Sequence, residues 1–154
     1  MTDNATAATP RTRQGALGLP LLAMIGLAAL AVPRVILHDL HLIGEWSPVT
    51  WLLSLLPVAV WIAVAVLKRV PHPFVTVLMI GVFYGVMLVI THQLLWEVAF
   101  DGRTISLGDG PVGLLVPRIA AIPSGLFTGA AIGAIGGLIA AGIQAVARRN
   151  ALSA

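Results

Sequence analysis

The sequence predicts an all-α fold: a polytopic membrane protein built as a four-helix transmembrane bundle, with N- and C-termini both cytoplasmic. Three observations point there. Charged residues make up 10% of the 154 residues and hydrophobic ones 58%. A soluble domain carries roughly 25% charged residues, so this chain has no polar coat to hold it in water. Its mean hydropathy of +0.99 is concentrated in apolar runs that divide into four spans, each able to cross a hydrocarbon core of about 30 Å. Finally, basic and acidic residues fall at opposite ends of those runs when the spans alternate in direction.

Residues 1–14, rich in Thr, Ala and Asn with Pro10, Arg11 and Arg13, read as a disordered basic cytoplasmic tail. A single transmembrane domain, 15–149, follows. Its first span covers about 17–40, with Pro20 placed as a first-turn proline. The same beginning resembles a secretory signal, with Ala29-Leu30-Ala31 as a small-x-small cleavage site. Val35-Ile36-Leu37 carry the apolar run past that site, which favours an uncleaved span.

The second span, 48–68, starts on Ser47 as N-cap and Pro48 at the first helical position, and Pro57 should kink it. Lys68-Arg69 end it. The turn from Val70 to Pro73 is so short that the third span, 73–96, must return antiparallel to the second. Residues 97–123 form an outer loop plus a short pre-helix. Within it Asp101-Gly102 carries the signature of a tight hairpin between Val98–Phe100 and Arg103–Ile105, although arms of that length are marginal. Pro123 divides the last run, leaving a fourth span at 124–147. The piece from Val112 to Ile122 either lies at the membrane interface or extends the helix outward. Residues 150–154 are a second cytoplasmic tail.

Orientation follows from charge. Arg11, Arg13, Lys68, Arg69, Arg148 and Arg149 share one side, and Asp39, Glu45, Glu97, Asp101 and Asp109 the other. The positive-inside rule then places both termini in the cytoplasm of a cell whose plasma or inner membrane holds the protein. Trp46, Trp51 and Trp96 collect where an outer aromatic belt is expected.

The most regular pattern in the chain is a small residue at every fourth position: Ala121, Gly125, Gly129, Gly133, Gly137, Ala141 and Ala145. Helices in lipid gain little from hydrophobicity when they associate, and close backbone contact along a ridge of small side chains replaces it. A four-residue step advances about 40° around a 3.6-residue helix, so the ridge winds and suits a right-handed crossing. It serves either packing within the bundle or contact with another copy. Gly81 and Gly85 form a second pair on the third span, on one face with His92 and Trp96. That face should point to protein.

Several polar side chains near the outer ends of the spans are hard to explain as lipid-facing. Arg34, His38 and His41 follow i, i+4, i+7 spacing and share a stripe if the helix continues that far. His92 shares the glycine face, and Glu97 follows just past it. Arg118 lies on the face of Gly125 and Gly129 unless Pro123 breaks the alignment. Val-Pro-Arg occurs twice, at 32–34 and 116–118. Ionisable groups at membrane depth usually face the bundle interior, a cavity or each other. Each arginine can alternatively snorkel to lipid phosphates, His92 can simply fix helix packing, and His38 and His41 can sit in a wet loop. Taken together, Arg34, His92, Arg118, His38, His41 and Glu97 form a candidate cationic pocket for a small anion or acidic headgroup. A divalent metal on His38, His41 and His92 with Asp39 or Glu97 is the weaker reading. Two nearby arginines oppose a second cation, and Asp39 points away from the histidine stripe on a helix.

The absence of cysteine excludes disulfides, thiolate metal sites and thiol chemistry. The net charge of +3 is scattered over helix ends, which is a topology signal and gives no footprint for nucleic acid. There is no HExxH, GxSxG or phosphate-binding Gly-Lys-Thr, and no carboxylate deep in a span. The expectation is therefore neither enzyme nor resident cofactor or metal. It is a small channel- or transporter-like protein with an outward polar pocket. The alternative is a structural or accessory subunit, assembling with itself or with other membrane proteins through its glycine-rich helix.

Overall fold

The computed structural model describes residues 17–44, 46–100, 106 and 110–153. The N-terminal tail, Glu45, the Asp101-Gly102 turn and Asp109 lie outside the described residues. Helices run as α1 (Leu21–Ala29), α2 (Val32–Asp39), α3 (Pro48–Leu67), α4 (Pro73–Leu94), α5 (Trp96–Ala99) and α6 (Gly110–Leu152). Four helical stretches are long and apolar enough to cross a membrane, with α1 and α2 acting as one. The fold is the expected all-α bundle of four such stretches.

The α1–α2 break has a local cause. Pro33 has no N–H for the carbonyl of Ala29, so the chain tightens at Leu30 and Ala31, whose amides bond Leu27 and Ala28 three residues back. The Leu27 carbonyl also accepts the Trp61 indole N–H at 2.7 Å. A fully buried tryptophan from α3 thereby locks the break in place.

α3 begins as its sequence dictates. The Thr50 amide donates to Ser47 Oγ at 3.2 Å, and Pro48 follows the cap. Both α2 and α3 end in Schellman motifs. The amides of Leu42 and Val70 reach back to Leu37 and Ala65, and those of His41 and Arg69 to His38 and Val66. The left-handed residue of such a motif is usually glycine, yet here it is His41 at φ 55° and Arg69 at φ 48°. His41 has therefore turned off the helix, and the expected Arg34–His38–His41 stripe stops at His38.

Three contacts define one end of the bundle. The Thr76 hydroxyl lies 2.7 Å from the Leu17 carbonyl and 2.9 Å from that of His72. Gly18, at φ +75°, fits under the α3–α4 turn where a Cβ would come within 2.6 Å of Pro71 Cδ. Gln144 donates to the Ala65 carbonyl at 2.9 Å. Lys68, Arg69, Arg148 and Arg149 all belong to this basic end.

α4 and α6 pack antiparallel, glycine face to glycine face. A Cβ added to Gly81 would fall on the Gly129 carbonyl and 2.5 Å from Gly133 Cα, one on Gly137 would fall 2.7 Å from the Phe74 carbonyl, and one on Gly125 would fall 2.7 Å from Val89. Gly129 faces Gly85 in the same way. Beyond Gly137 the contact leaves the four-residue row. Ala140 and Gln144 are buried, whereas Ala141 is half-buried and Ala145 exposed. The row winds off the interface by about 40° per step, and a three-residue step from Gly137 to Ala140 brings the buried face back. At the other end of the row Ala121 is half-buried.

α6 also answers the question the sequence left open. It runs 43 residues without interruption through Pro117 and Pro123, so residues 110–122 extend the helix, and its length is about 65 Å. Val98 and Ala99 belong to helix α5 and not to a strand arm.

Candidate functional site

Polar chemistry away from the basic end collects at two levels. The deeper one is a cavity of about 300 Å³ walled by all four spans: Ala31 and Arg34 from the α1–α2 break, Leu53, Ser54, Val58 and Trp61 from α3, Tyr84 from α4, Thr128 and Ile132 from α6. Local sequence explains why space opens here. Pro57 cannot donate to the Leu53 carbonyl, which weakens the α3 ladder beside the cavity. Ser54 and Thr128 turn their hydroxyls back onto the carbonyls of Thr50 and Ser124 at 2.7 and 2.9 Å. That satisfies each hydroxyl proton and leaves oxygen lone pairs beside the cavity.

Arg34 supplies the charge. Pro33 sets the first turn of α2, and the break behind it aims the following residue inward. The guanidinium is within hydrogen-bonding reach of the Tyr84 hydroxyl and interacts with it electrostatically. Its Nε is buried and has no acceptor among the described residues. A buried charged donor without an acceptor costs about 1–3 kcal/mol or more. Indole and phenol rings pack nearby, with Trp61 and Tyr84 centroids 6.0 Å apart, so the charge sits against aromatic and aliphatic walls.

The second level lies at the end of the bundle opposite Lys68 and Arg69, and its hub is a residue that sequence reasoning had turned away. Asp39, the last residue of α2, is only 5% exposed. His92 Nδ1 lies 3.1 Å from Asp39 Oδ2, and His38 Nδ1 lies 3.5 Å from Oδ1. A carboxylate is disfavoured at a helix C-terminus, and two imidazoles next to it compensate. His92 also meets Trp96 and Phe100 edge-on at 5.5 and 5.8 Å.

Trp96 is 7% exposed and so is not part of an exposed belt, unlike Trp46 and Trp51 at 83% and 53%. Arg118 lies over it, 5.3 Å from the ring centroid, and donates to Glu97 at 2.6 Å. Gln93 donates to the Arg118 carbonyl at 2.8 Å. Trp96 thus joins the His92 and Arg118 groups, whereas neither of those residues lines the Arg34 cavity.

The sequence-predicted residues consequently divide into three groups, with His41 apart from all of them. Arg34 has its own cavity. His38 and His92 converge on Asp39. Arg118 and Glu97 pair at the rim, and His41 follows the end of α2. No group of three or more His, Cys, Asp or Glu side chains among the described residues is placed to hold a metal ion. Sequence reasoning missed Tyr84, Ser54, Thr128 and Trp61 as cavity residues. The available signal was their spacing: Ser54 and Trp61 are seven residues apart on α3, one face, across Pro57. Asp39 entered only the weaker metal reading and was set aside because it points away from the histidine stripe of its own helix; its contact with His92 comes from a residue 53 positions away on another helix. Compared with known proteins, the chain matches no protein-family model, no curated protein and no solved structure.

Proposed function

We propose that this protein is a small anion-binding membrane protein of the channel or transporter class, with Arg34 as the residue that holds the anion. One observation carries the reading: a buried guanidinium Nε with no acceptor among the described residues, on the wall of a 300 Å³ cavity. A guanidinium in low dielectric is costly unless a negative group completes its hydrogen bonds. Asp39 is already engaged with His92 and His38, and Glu97 with Arg118. A small carboxylate or phosphate-like anion in the cavity meets the Arg34 guanidinium, with the Tyr84 hydroxyl as a second donor. By the positive-inside rule the basic end lies in the cytoplasm, so the cavity and the Asp39–His92 cluster belong to the outer half of the bundle. In this reading the role of Asp39–His92 is to hold the α2–α4 wall in register, and that of Arg118 to close the rim. The assembly alternative has less support, because Gly125 to Gly137 are occupied by α4 of the same chain.

The test is ligand-dependent stabilisation of the purified protein in detergent, using chloride, acetate and inorganic phosphate in turn. At least one anion should raise Tm of the wild type saturably, by the amount expected of a ligand that binds only the folded state, and Arg34→Gln should abolish that rise. Flux of the same anion into proteoliposomes should fall in parallel. If no anion stabilises the wild type beyond Arg34→Gln, the reading is wrong.

A further inference from the structure

A second feature lies at the basic end, away from Arg34. A cavity of about 470 Å³ opens there between the ends of α3 and α6, lined by Val66, Leu67, Arg69, Gln144, Ala147, Arg148 and Ala151. It continues through Val66 and Leu67 into an apolar groove of about 400 Å³, walled by Ala59, Ile62 and Ala63 of α3 and Ile143 of α6. Ala59, Ala63, Leu67 and Ile143 are exposed on that face. The groove follows α3 from Leu67 back to Ala59, about 12 Å along the helix.

The basic mouth is built and not incidental. Gln144 is buried, and its amide nitrogen caps the Ala65 carbonyl while its oxygen accepts from Arg148 at 3.0 Å. That bond fixes the Arg148 guanidinium with several of its donors remaining. Arg69 occupies the left-handed position of the α3 Schellman motif, where glycine has the lower energy. The Arg69 side chain is held there at a conformational cost. Among the described residues no carboxylate lines either part.

We infer that this groove binds an anionic phospholipid of the leaflet at the basic end, its phosphate between Arg69 and Arg148 and one acyl chain against Ala59, Ala63 and Ile143. The occupant is set by complementarity. Two guanidinium groups at headgroup depth require an anion, and an exposed apolar arm leading from them toward the bilayer centre requires a chain attached to it.

The experiment is native mass spectrometry of the detergent-purified protein titrated with phosphatidylglycerol, with phosphatidylcholine of the same acyl chains as control and inorganic phosphate as competitor. Phosphatidylglycerol should bind at one saturable site and phosphatidylcholine far more weakly. Each of Arg69→Gln and Arg148→Gln should weaken binding about fivefold, and the pair about 30-fold. Arg69→Gly separates fold from binding: Tm should hold or rise, since glycine suits the turn, while lipid affinity falls. Ala63→Trp, which fills the arm and leaves both arginines, should also weaken binding. Equal retention of both lipids would overturn the inference. So would wild-type affinity in Arg69→Gly, or displacement of the lipid by phosphate with no effect of Ala63→Trp. Anion stabilisation through Arg34 is read in the absence of lipid, so failure of one proposal leaves the other standing or falling by itself.

Discussion

At the scale of single residues, this protein places its polar groups where helix geometry has failed locally. Trp61 bonds a carbonyl at the α1–α2 break, Thr76 bonds the carbonyl that precedes α1, and Gln144 bonds one at the end of α3. The Leu27 and Ala65 carbonyls keep only the three-residue bond from Leu30 and the Schellman bond from Val70, and in lipid no water can add to these, so each side chain supplies a further donor. Trp61→Phe keeps most of the ring volume and deletes only the indole donor. It should destabilise the bundle by about 1 kcal/mol, the loss of one buried hydrogen bond from a Leu27 carbonyl that keeps only the Leu30 amide. Reversible unfolding in mixed detergent measures this, and an unchanged midpoint would mean that the break holds without its tryptophan. Asp39 gives a sharper contrast. Asp39→Asn can still accept from His92, whereas Asp39→Leu leaves two imidazoles facing an apolar chain. Asn should therefore cost less than Leu, by about 1–2 kcal/mol in the same assay.

At the scale of elements, the decisive contact is between α4 and α6. A leucine on either glycine face would have to push two backbones apart, since the space beyond the Cα atoms of Gly81, Gly129 and Gly133 is already filled by the facing helix. Gly129→Leu should cost about 3 kcal/mol or more and reduce the yield of folded protein. Gly26 is the matched control, because a Cβ there meets nothing within 4 Å among the described residues. Gly26→Leu should fold as well as wild type, and equal stability of the two variants would remove the packing argument. The ridge was legible in the sequence, as a row of small residues at four-residue spacing. Its end was not. A sequence row is straight in register but winds in space, and only the position of α3 and α4 around α6 selects Ala140 and Gln144 over Ala141 and Ala145.

At the scale of the whole molecule, the helices alternate so that residues 17–20, the α3–α4 turn and the C-terminal turns of α6 share one end. Charge gives that arrangement its expected sense across the membrane. A cysteine at Ser106, which is exposed, should react with a membrane-impermeant thiol reagent in intact cells, and one at Ser153 only after the cells are opened. The chain's lack of cysteine makes each variant report a single position. Labelling of Ser153→Cys from outside would reverse the orientation, and with it the placement of the Arg34 cavity in the outer half.

Sequence by itself determined the number of spans, the Ser47-Pro48 start of α3, the antiparallel return through Val70–Pro73 and the identity of the glycine faces. These rest on composition and on spacing within one helix, both of which are local quantities. The tertiary structure alone decided which polar groups meet. Asp39 finds His92 across 53 positions of sequence, Arg34 faces Tyr84 from another helix, and Arg118 lies over Trp96. Such pairings depend on how far each helix is rotated about its axis. At about 100° per residue an offset of one residue carries a side chain from cavity to lipid, and packing against the neighbours is what sets that rotation.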